Sequence, residues 1–226
     1  MLETNILPDF ITVDGAEGGT GAAPVEFSNR LGMMCLEGTY FIHNALVGVG
    51  LRDKITLISS GKTASSFDLL SKIAYGADIV NSARTMMMAL GCIQSRHCNT
   101  NHCPTGIATQ DPVRGKAIDV TLKSERVKNF QHNTLASFFE LVGSMGLDDP
   151  KQLTPTMIKR RTTNGLFITG GSLAVPLTDK QLINDDLAGQ DIWRQWWHSA
   201  NEDTFSVEDN VVLVPIEMKV PVKMRG

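Results

Sequence analysis

The chain has 226 residues, 21 basic and 24 acidic, for a formal net charge of −3, a length that fits one domain with an appendage or two small ones. Hydrophobic residues make up 42% and charged residues 20%, globular values that exclude a wholly disordered chain. The near-balanced charge speaks against nucleic acid or an anionic membrane as main partner. No apolar run approaches the roughly 20 residues of a membrane-spanning helix, and MLETNILPDF is not a signal peptide, so the expected location is cytoplasmic.

Asp9 to Val13 (DFITV) is a short β-rich run that ends in the turn-rich DGAEGGTGAAP. From Val25 to about Val49, Phe27, Leu31, Met34, Leu36, Phe41, Ala45 and Val49 recur at helical spacing, which predicts one long helix ended by Gly50. Ile55 to Ser59 reads as a second strand, closed by Ser60-Gly61-Lys62. Ser65 or Ser66 can cap a helix running to about Tyr75, with Gly76 past its end. Ala77 to Val80 is a third strand, followed by Asn81-Ser82-Ala83-Arg84 and a helix from Thr85 to Leu90. This β-α-β-α-β-α alternation, with strands too apolar for a wet face, predicts a parallel sheet covered by helices.

The second half changes character. Residues 91–114 form a Cys/His/Asn/Gly/Pro loop. A long amphipathic helix is predicted from Ser124 to Met145, with Val127, Phe130, Leu135, Phe138, Leu141 and Val142 inward. Lys159-Arg160-Arg161 reads as a solvated basic spot. Trp193, Trp196 and Trp197 read as core or interface anchors on a short helix. Val211 to Ile216 and Lys219 to Lys223 read as edge strands, because Pro215 and Pro221 remove ladder donors.

Three features carry chemistry. In Asp14-Gly-Ala-Glu-Gly-Gly-Thr-Gly21, glycines permit close approach of backbone to a ligand, and Asp14 and Glu17 crowd two carboxylates at one strand end. Ser60-Gly61-Lys62 and Ser82-Ala83-Arg84 each set a hydroxyl and a cation beside an expected helix N-terminus, where unpaired N–H groups favour an anion. Among four cysteines, Cys35 reads as a small buried hydrophobe in a helix, whereas Cys92, Cys98 and Cys103 share one loop with C-x5-C-x4-C spacing. By spacing alone that loop can hold an iron–sulfur cluster, a zinc ion with His97 or His102 as fourth ligand, or three unliganded thiols. His43 and His132 read as packing or surface residues.

DFITVDGAEGGTGAAP, NALVGVGLRDKITLISSGK, GADIVNSAR and ALGCIQSRHCNTNHCPTGIATQDP resemble the FMN-binding synthase domain of glutamate synthases, and more closely the stand-alone glutamate-synthase-like proteins. The resemblance runs from about Asp9 to Arg161. It implies an α/β fold of the (β/α)₈ TIM-barrel type, of which this chain would hold the last three βα units, followed by a C-terminal helical and irregular extension. Residues 1–162 would be the C-terminal part of the barrel and 163–226 an extension of unknown role.

The resemblance further implies an oxidoreductase acting on CH–NH₂ donors. It would make L-glutamate from 2-oxoglutarate and ammonia, free or glutamine-derived, through 2-iminoglutarate. FMN would donate hydride, and a [3Fe-4S] cluster would relay electrons from ferredoxin or an NADPH-linked iron–sulfur flavoprotein. Cys92, Cys98 and Cys103 would hold the cluster. Ser60, Gly61, Lys62, Ser82, Ala83 and Arg84 would surround the FMN phosphate. Gly18, Gly19 and Thr20 would line the flavin, with the Glu17 carboxylate as the catalytic contact.

The family's Lys- and Gly-rich KPGxGGxLPG loop has no match in residues 1–8, and no glutaminase domain is present. A whole barrel needs about 250 residues. The chain is therefore expected to be the C-terminal part of a longer protein, or one piece of a split enzyme whose partner chain supplies the first five strands. Two other readings remain: a relative acting on another amine or 2-oxo acid, and a non-catalytic truncated subunit or binding remnant.

Overall fold

The computed structural model describes residues 1–17, 23–24, 26–27, 31–161, 163, 165–173 and 176–203. Gly18, Gly19 and Thr20, and the strands expected at 211–216 and 219–223, lie outside the described residues.

Strands β1 (Phe10–Asp14), β2 (Thr56–Ser60) and β3 (Ile79–Asn81) form a parallel sheet in the order β1-β2-β3. The register sets Phe10 beside Thr56, Thr12 beside Ile58 and Ile79, and Asp14 beside Ser60 and Asn81. Side chains alternate across a strand, so these three rows share one face. Phe10, Thr12, Asp14, Ile79 and Asn81 on that face are exposed. The opposite face carries Leu57 and Ser59, both fully buried beneath the helices.

Helix α1 (Cys35–Gly48) links β1 to β2, and α2 (Ser66–Ala74) links β2 to β3. The two touch each other while packing on the sheet, so the described cover lies on one side. Ser65 caps α2 through a reciprocal bond with Asp68, and Gly76 turns the chain out at φ +101°. The short α3 (Arg84–Leu90) ends on Gly91 at φ +110°. A four-residue α4 (Pro112–Gly115) precedes the long α5 (Val120–Ser144), which lies against α2 and α3. Phe138 and Val142 of α5 meet Leu70, Ala74 and Tyr75 in one core. Leu135, expected inward, is at the exposed margin. Lys159-Arg160-Arg161 is strand β4 (Lys159–Arg161), paired antiparallel with β5 (Phe167–Thr169).

The single helix expected from Val25 to Val49 is interrupted. Gly32 adopts φ +99°, and the Ala16 N–H donates to Met33 O at 2.8 Å, pulling the chain out of helical geometry. Leu31 and Met34 keep the apolar period yet are 61% and 44% exposed, so their spacing reflects no packed helix face.

The C-terminal extension is fastened to α1. The last carbonyls of a helix lack intrahelical partners. Here Lys180 N–H donates to Val47 O at 3.1 Å and Leu182 N–H to Gly48 O at 2.9 Å. The Asn44 side chain accepts from Leu177 N–H at 3.1 Å and donates to Tyr40 O at 2.8 Å. On α6 (Asp191–Ser199), Trp193 stacks on Phe41 with centroids 5.0 Å apart, and Trp196 meets the same ring edge-on at 5.1 Å. Trp193 is buried in this core, and Trp196 and Trp197 pack against it partly buried.

A second fastening joins α1 to the sheet. Arg52 donates to His43 Nδ1 at 3.0 Å, to Gly76 O at 2.8 Å and to Asp78 at 2.8 Å, while Asp78 accepts from Leu57 N–H at 2.8 Å. Burial, and then the Arg52 charge, hold the His43 imidazole below its usual value.

Two outcomes follow. A methyl group at Gly48 would sit 2.7 Å from Leu182 Cδ1 and 2.8 Å from Leu177 Cδ1. Alanine favours the helix by about 1 kcal/mol, but such overpacking costs about 1–3 kcal/mol, so Gly48→Ala should lower stability in urea unfolding. For His43 the folded state prefers the neutral ring, so stability should fall as pH drops below the unfolded value of about 6.5. Thermal melts between about pH 7 and 5 should show this slope, reduced in His43→Asn, which keeps an acceptor for Arg52.

Candidate functional site

The C-terminal ends of β1, β2 and β3 lie side by side, as the register of Asp14, Ser60 and Asn81 requires. After β1 the chain turns at Gly15, whose N–H donates to Ser60 O at 3.2 Å. A Cβ there would collide with the Cys35 backbone and side chain, so only glycine lets α1 start this close to the strand end. Glu17 turns back onto the same helix, and its Oε2 accepts the Cys35 N–H at 2.8 Å. The carboxylate expected to meet substrate is thus bonded to an N–H at the start of α1, a position that favours an anion. Beside it, an open cleft of about 340 Å³ is lined by Val13, Asp14, Gly15, Phe27, Leu31 and Met33.

Cys35 is buried, as its apolar setting suggested, but its surroundings are polar. Its Sγ lies 3.1 Å from Ser59 Oγ and 3.3 Å from Ser60 O, and Ser59 Oγ is 2.9 Å from Thr39 Oγ1. Gly61 closes this pocket. A methyl group there would stand 3.1 Å from Cys35 Cβ and 3.3 Å from its Sγ. The next residue, Lys62, takes φ +39°, a left-handed conformation that is uncommon outside glycine.

The two strand-end turns differ. The N-terminus of α2 is satisfied by its own residues: Asp68 accepts from Ala64 N–H at 3.0 Å and Ser65 N–H at 2.8 Å, and Ser65 Oγ accepts from Asp68 N–H at 3.2 Å. That helix end is capped by Ser65 and Asp68, and the Ser60-Gly61-Lys62 turn lies just before it. Helix α3 has no side-chain cap, and Arg84 is its first residue. The Ser82 hydroxyl donates to Thr63 O at 2.9 Å.

The cysteine loop folds back to the first turn: Arg96 donates to Ala23 O at 2.8 Å, across 73 residues of sequence. Asn101, at φ +64°, braces the loop, its side chain accepting from Thr109 Oγ1 at 2.9 Å and Gln110 N–H at 2.6 Å. Cys103 is buried, while Cys92 and Cys98 are half-buried. The Cys103 thiol is brought down to about 7, first by the Thr105 hydroxyl 3.4 Å away and then by a backbone hydrogen bond from Ala108. The three thiols share the loop, but among the described residues no group of three or more His, Cys, Asp or Glu side chains is gathered to hold a metal ion.

Sequence reasoning missed Thr63, Lys72 and Thr85, which join the two turns. Lys72 donates to Gly61 O and, at 2.7 Å, to Thr63 Oγ1. Thr63 Oγ1 donates in turn to Asn81 O at 3.1 Å, and Thr63 O accepts from Thr85 Oγ1 at 2.8 Å. The available signal was a lysine set among the buried Leu70, Ser71 and Ala74 of α2.

The conserved region of glutamate synthases matches residues 3–148. A glutamate synthase large subunit-like protein, YerD of Bacillus subtilis, is 37% identical over 161 residues, 71% of this chain and 31% of its own length. An archaeal glutamate synthase (NADPH) of Methanocaldococcus jannaschii is 36% identical over 145 residues, 64% of this chain and 28% of its own. A chloroplastic ferredoxin-dependent glutamate synthase of Oryza sativa subsp. japonica is 37% identical over 102 residues, 45% of this chain and 6% of its own. The chain spans less than a third of each of these relatives. No helix among the described residues is long and apolar enough to cross a membrane.

Replacing Thr105 by valine removes the hydroxyl that does most to lower the Cys103 thiol. In metal-free protein the midpoint of thiolate ultraviolet absorbance assigned to Cys103, by difference from Cys103→Ser, should rise from about 7 toward the ordinary thiol range of about 8.5.

Proposed function

We propose, for a chain that belongs to the glutamate synthase family, that it forms the FMN-phosphate and iron–sulfur end of a synthase barrel. In that barrel 2-oxoglutarate and ammonia would be converted to L-glutamate. The observation that carries the reading is the Arg96–Ala23 bond, which ties the cysteine loop to the glycine-rich turn at the strand ends. Strand order supports the barrel. Three parallel strands in sequential order, with helices on one face and exposed side chains on the other, fit a barrel segment better than a doubly wound sheet covered on both faces.

The residues fit the two groups as follows. The Ser60-Gly61-Lys62 and Ser82-Ala83-Arg84 turns lie at the ends of neighbouring strands, where barrels commonly bind phosphate. Lys62 and Arg84 would supply positive charge, and the bare Gly61 Cα would let a ligand approach the backbone. FMN bound there would supply hydride to the imine of 2-oxoglutarate. Cys92, Cys98 and Cys103 offer three soft donors without a competing C-x-x-C pair, the set a [3Fe-4S] cluster needs. Such a cluster would supply single electrons. Iron ligation requires thiolates, and a Cys103 thiol near 7 is ready to lose its proton at neutral pH. Arg96 holds that loop toward the glycine turn. Glu17 fixes the start of α1, and with it the floor of the cleft beside β1. The relatives' names give NADPH and ferredoxin as reductants, and one of these two classes would feed this chain.

The open sheet face and the outer edges of β1 and β3 call for further parallel strands. Phe10 and Ile79 on that face are exposed, and bare apolar side chains favour further cover. We assign that cover to the first five βα units, carried upstream on the same polypeptide or on a partner chain.

The purified protein should show flavin absorbance and a broad iron–sulfur shoulder. Zinc without iron would overturn the cluster assignment. Cys98→Ser should lose iron and keep FMN. Glutamate formation from 2-oxoglutarate, ammonia and a chemical reductant should appear only when the upstream five units are present. Turnover by residues 1–226 alone would refute the need for them.

A further inference from the structure

Resting on the FMN-phosphate reading above, we infer that Thr63 and Lys72 are positioning residues that lock the turn after β2 to the turn after β3, fixing the spacing of the two phosphate-facing backbone segments. Thr63 stands at the junction. Its hydroxyl accepts from Lys72 Nζ at 2.7 Å and donates to Asn81 O at 3.1 Å. Its carbonyl accepts from Ser82 Oγ at 2.9 Å and from Thr85 Oγ1 at 2.8 Å, which fills both lone pairs. Four hydrogen bonds thus converge on one residue, and three of them reach the segment 81–85. Lys72 extends the junction back to Gly61 O, inside the first turn.

Burial gives these bonds their force. Thr63 is 7% and Lys72 is 4% exposed, and a buried polar group that loses its partner costs more than the bond itself contributes. An ammonium at that depth is retained because it is paired. Desolvation pushes its proton affinity down, and the nearby Cys35, Asp68 and Glu17 act in the opposite direction. A lysine whose work was only solubility would sit on the exposed side of α2. This one reaches across the end of β2 to the backbone of Gly61.

The two turns come from different βα units, and the backbone sheet bonds stop at Ser60 and Asn81. Beyond those residues only side chains can hold the turns in register. Thr63 and Lys72 supply that link, and a phosphate contacted from both turns would feel its loss.

The test uses the full chain, in four forms: wild type, Thr63→Val, Thr63→Ser and Thr85→Val. Amide hydrogen exchange reads the lock itself, and quenching of free FMN fluorescence reads the dissociation constant. Losing the hydroxyl at constant shape in Thr63→Val should speed exchange at residues 61–64 and 82–85 about tenfold or more, with α1 unchanged. FMN affinity should fall about tenfold in the same variant. Thr63→Ser, which keeps the hydroxyl, should stay within about threefold of wild type on both measures. Should Thr63→Val fail to fold, Thr85→Val removes one bond of the junction and should loosen 82–85 in the folded protein. Unchanged exchange in both valine variants, loosening of one turn without the other in Thr63→Val, or a serine variant as loose as the valine would overturn the inference. Wild-type protein that binds no FMN, beside a Thr63→Val that still loosens both turns, would uphold the lock and sink the cofactor reading instead.

Discussion

The strand ends are organised around a missing side chain. Gly15 lets the first residue of α1 press against the chain leaving β1, where any Cβ would collide with Cys35. That contact puts the Cys35 thiol against Ser59 and Ser60 of the neighbouring strand, and brings Glu17 over the helix start. Gly61 then fits beneath the thiol, again because it has no Cβ to place there. Position by position, the C-terminal ends of β1 and β2 and the N-terminal end of α1 are registered by two bare α-carbons and one sulfur. The polar groups buried there are satisfied by one another, which is what such a dense arrangement requires. The candidate site is built on this platform.

The opposite side of the sheet is unfinished. Helices cover the face of Leu57 and Ser59, while the face of Phe10 and Ile79 is exposed. Hydrophobic burial drives most folding stability, so a domain that leaves such a face bare has a reason to meet further chain. The described part of the extension does not supply it. Residues 177–199 run instead along α1, where Leu177, Leu182, Leu187 and Trp193 form a core of their own. Among the described residues the buried apolar side chains fall into three clusters around α1 and α2, with the other face of the sheet left over. In a barrel that face would be the filled centre.

Much of this was legible in the sequence. Short β-rich runs closed by turn residues located all three parallel strands to within two residues or so, and Ser65 and Gly76 marked the ends of α2 through capping chemistry. The long motifs identified the family. The failures have physical causes. Periodicity carried the first helix straight through Gly32, because apolar spacing does not register a left-handed turn. The basic run 159–161 is exposed at Lys159 and Arg161, as read, but its strand pairing with Phe167–Thr169 was missed, being a non-local event that local charge does not announce. At the site, glycines, cations and cysteines were readable because their residue types are chemically unusual. Thr63 and Thr85 were not, because a threonine hydroxyl has no signature until folding sets a carbonyl beside it. Nor was the Ser82 bond, whose acceptor is a carbonyl 19 residues away.

The fastening of the extension to α1 has a consequence in time. The carbonyls that end α1, and the Asn44 amide, are completed by residues up to 134 positions later in the chain. On a ribosome adding about 5–20 residues per second, the helix would wait roughly 7 to 27 seconds for its partners. Through that interval Phe41 has no tryptophan to stack on, and the end of the helix is free to fray. The nascent chain is thus sticky for longest along the side that is among the best packed once the protein is finished. Its vulnerable period falls before synthesis ends, when a ribosome-associated chaperone is the nearest source of cover.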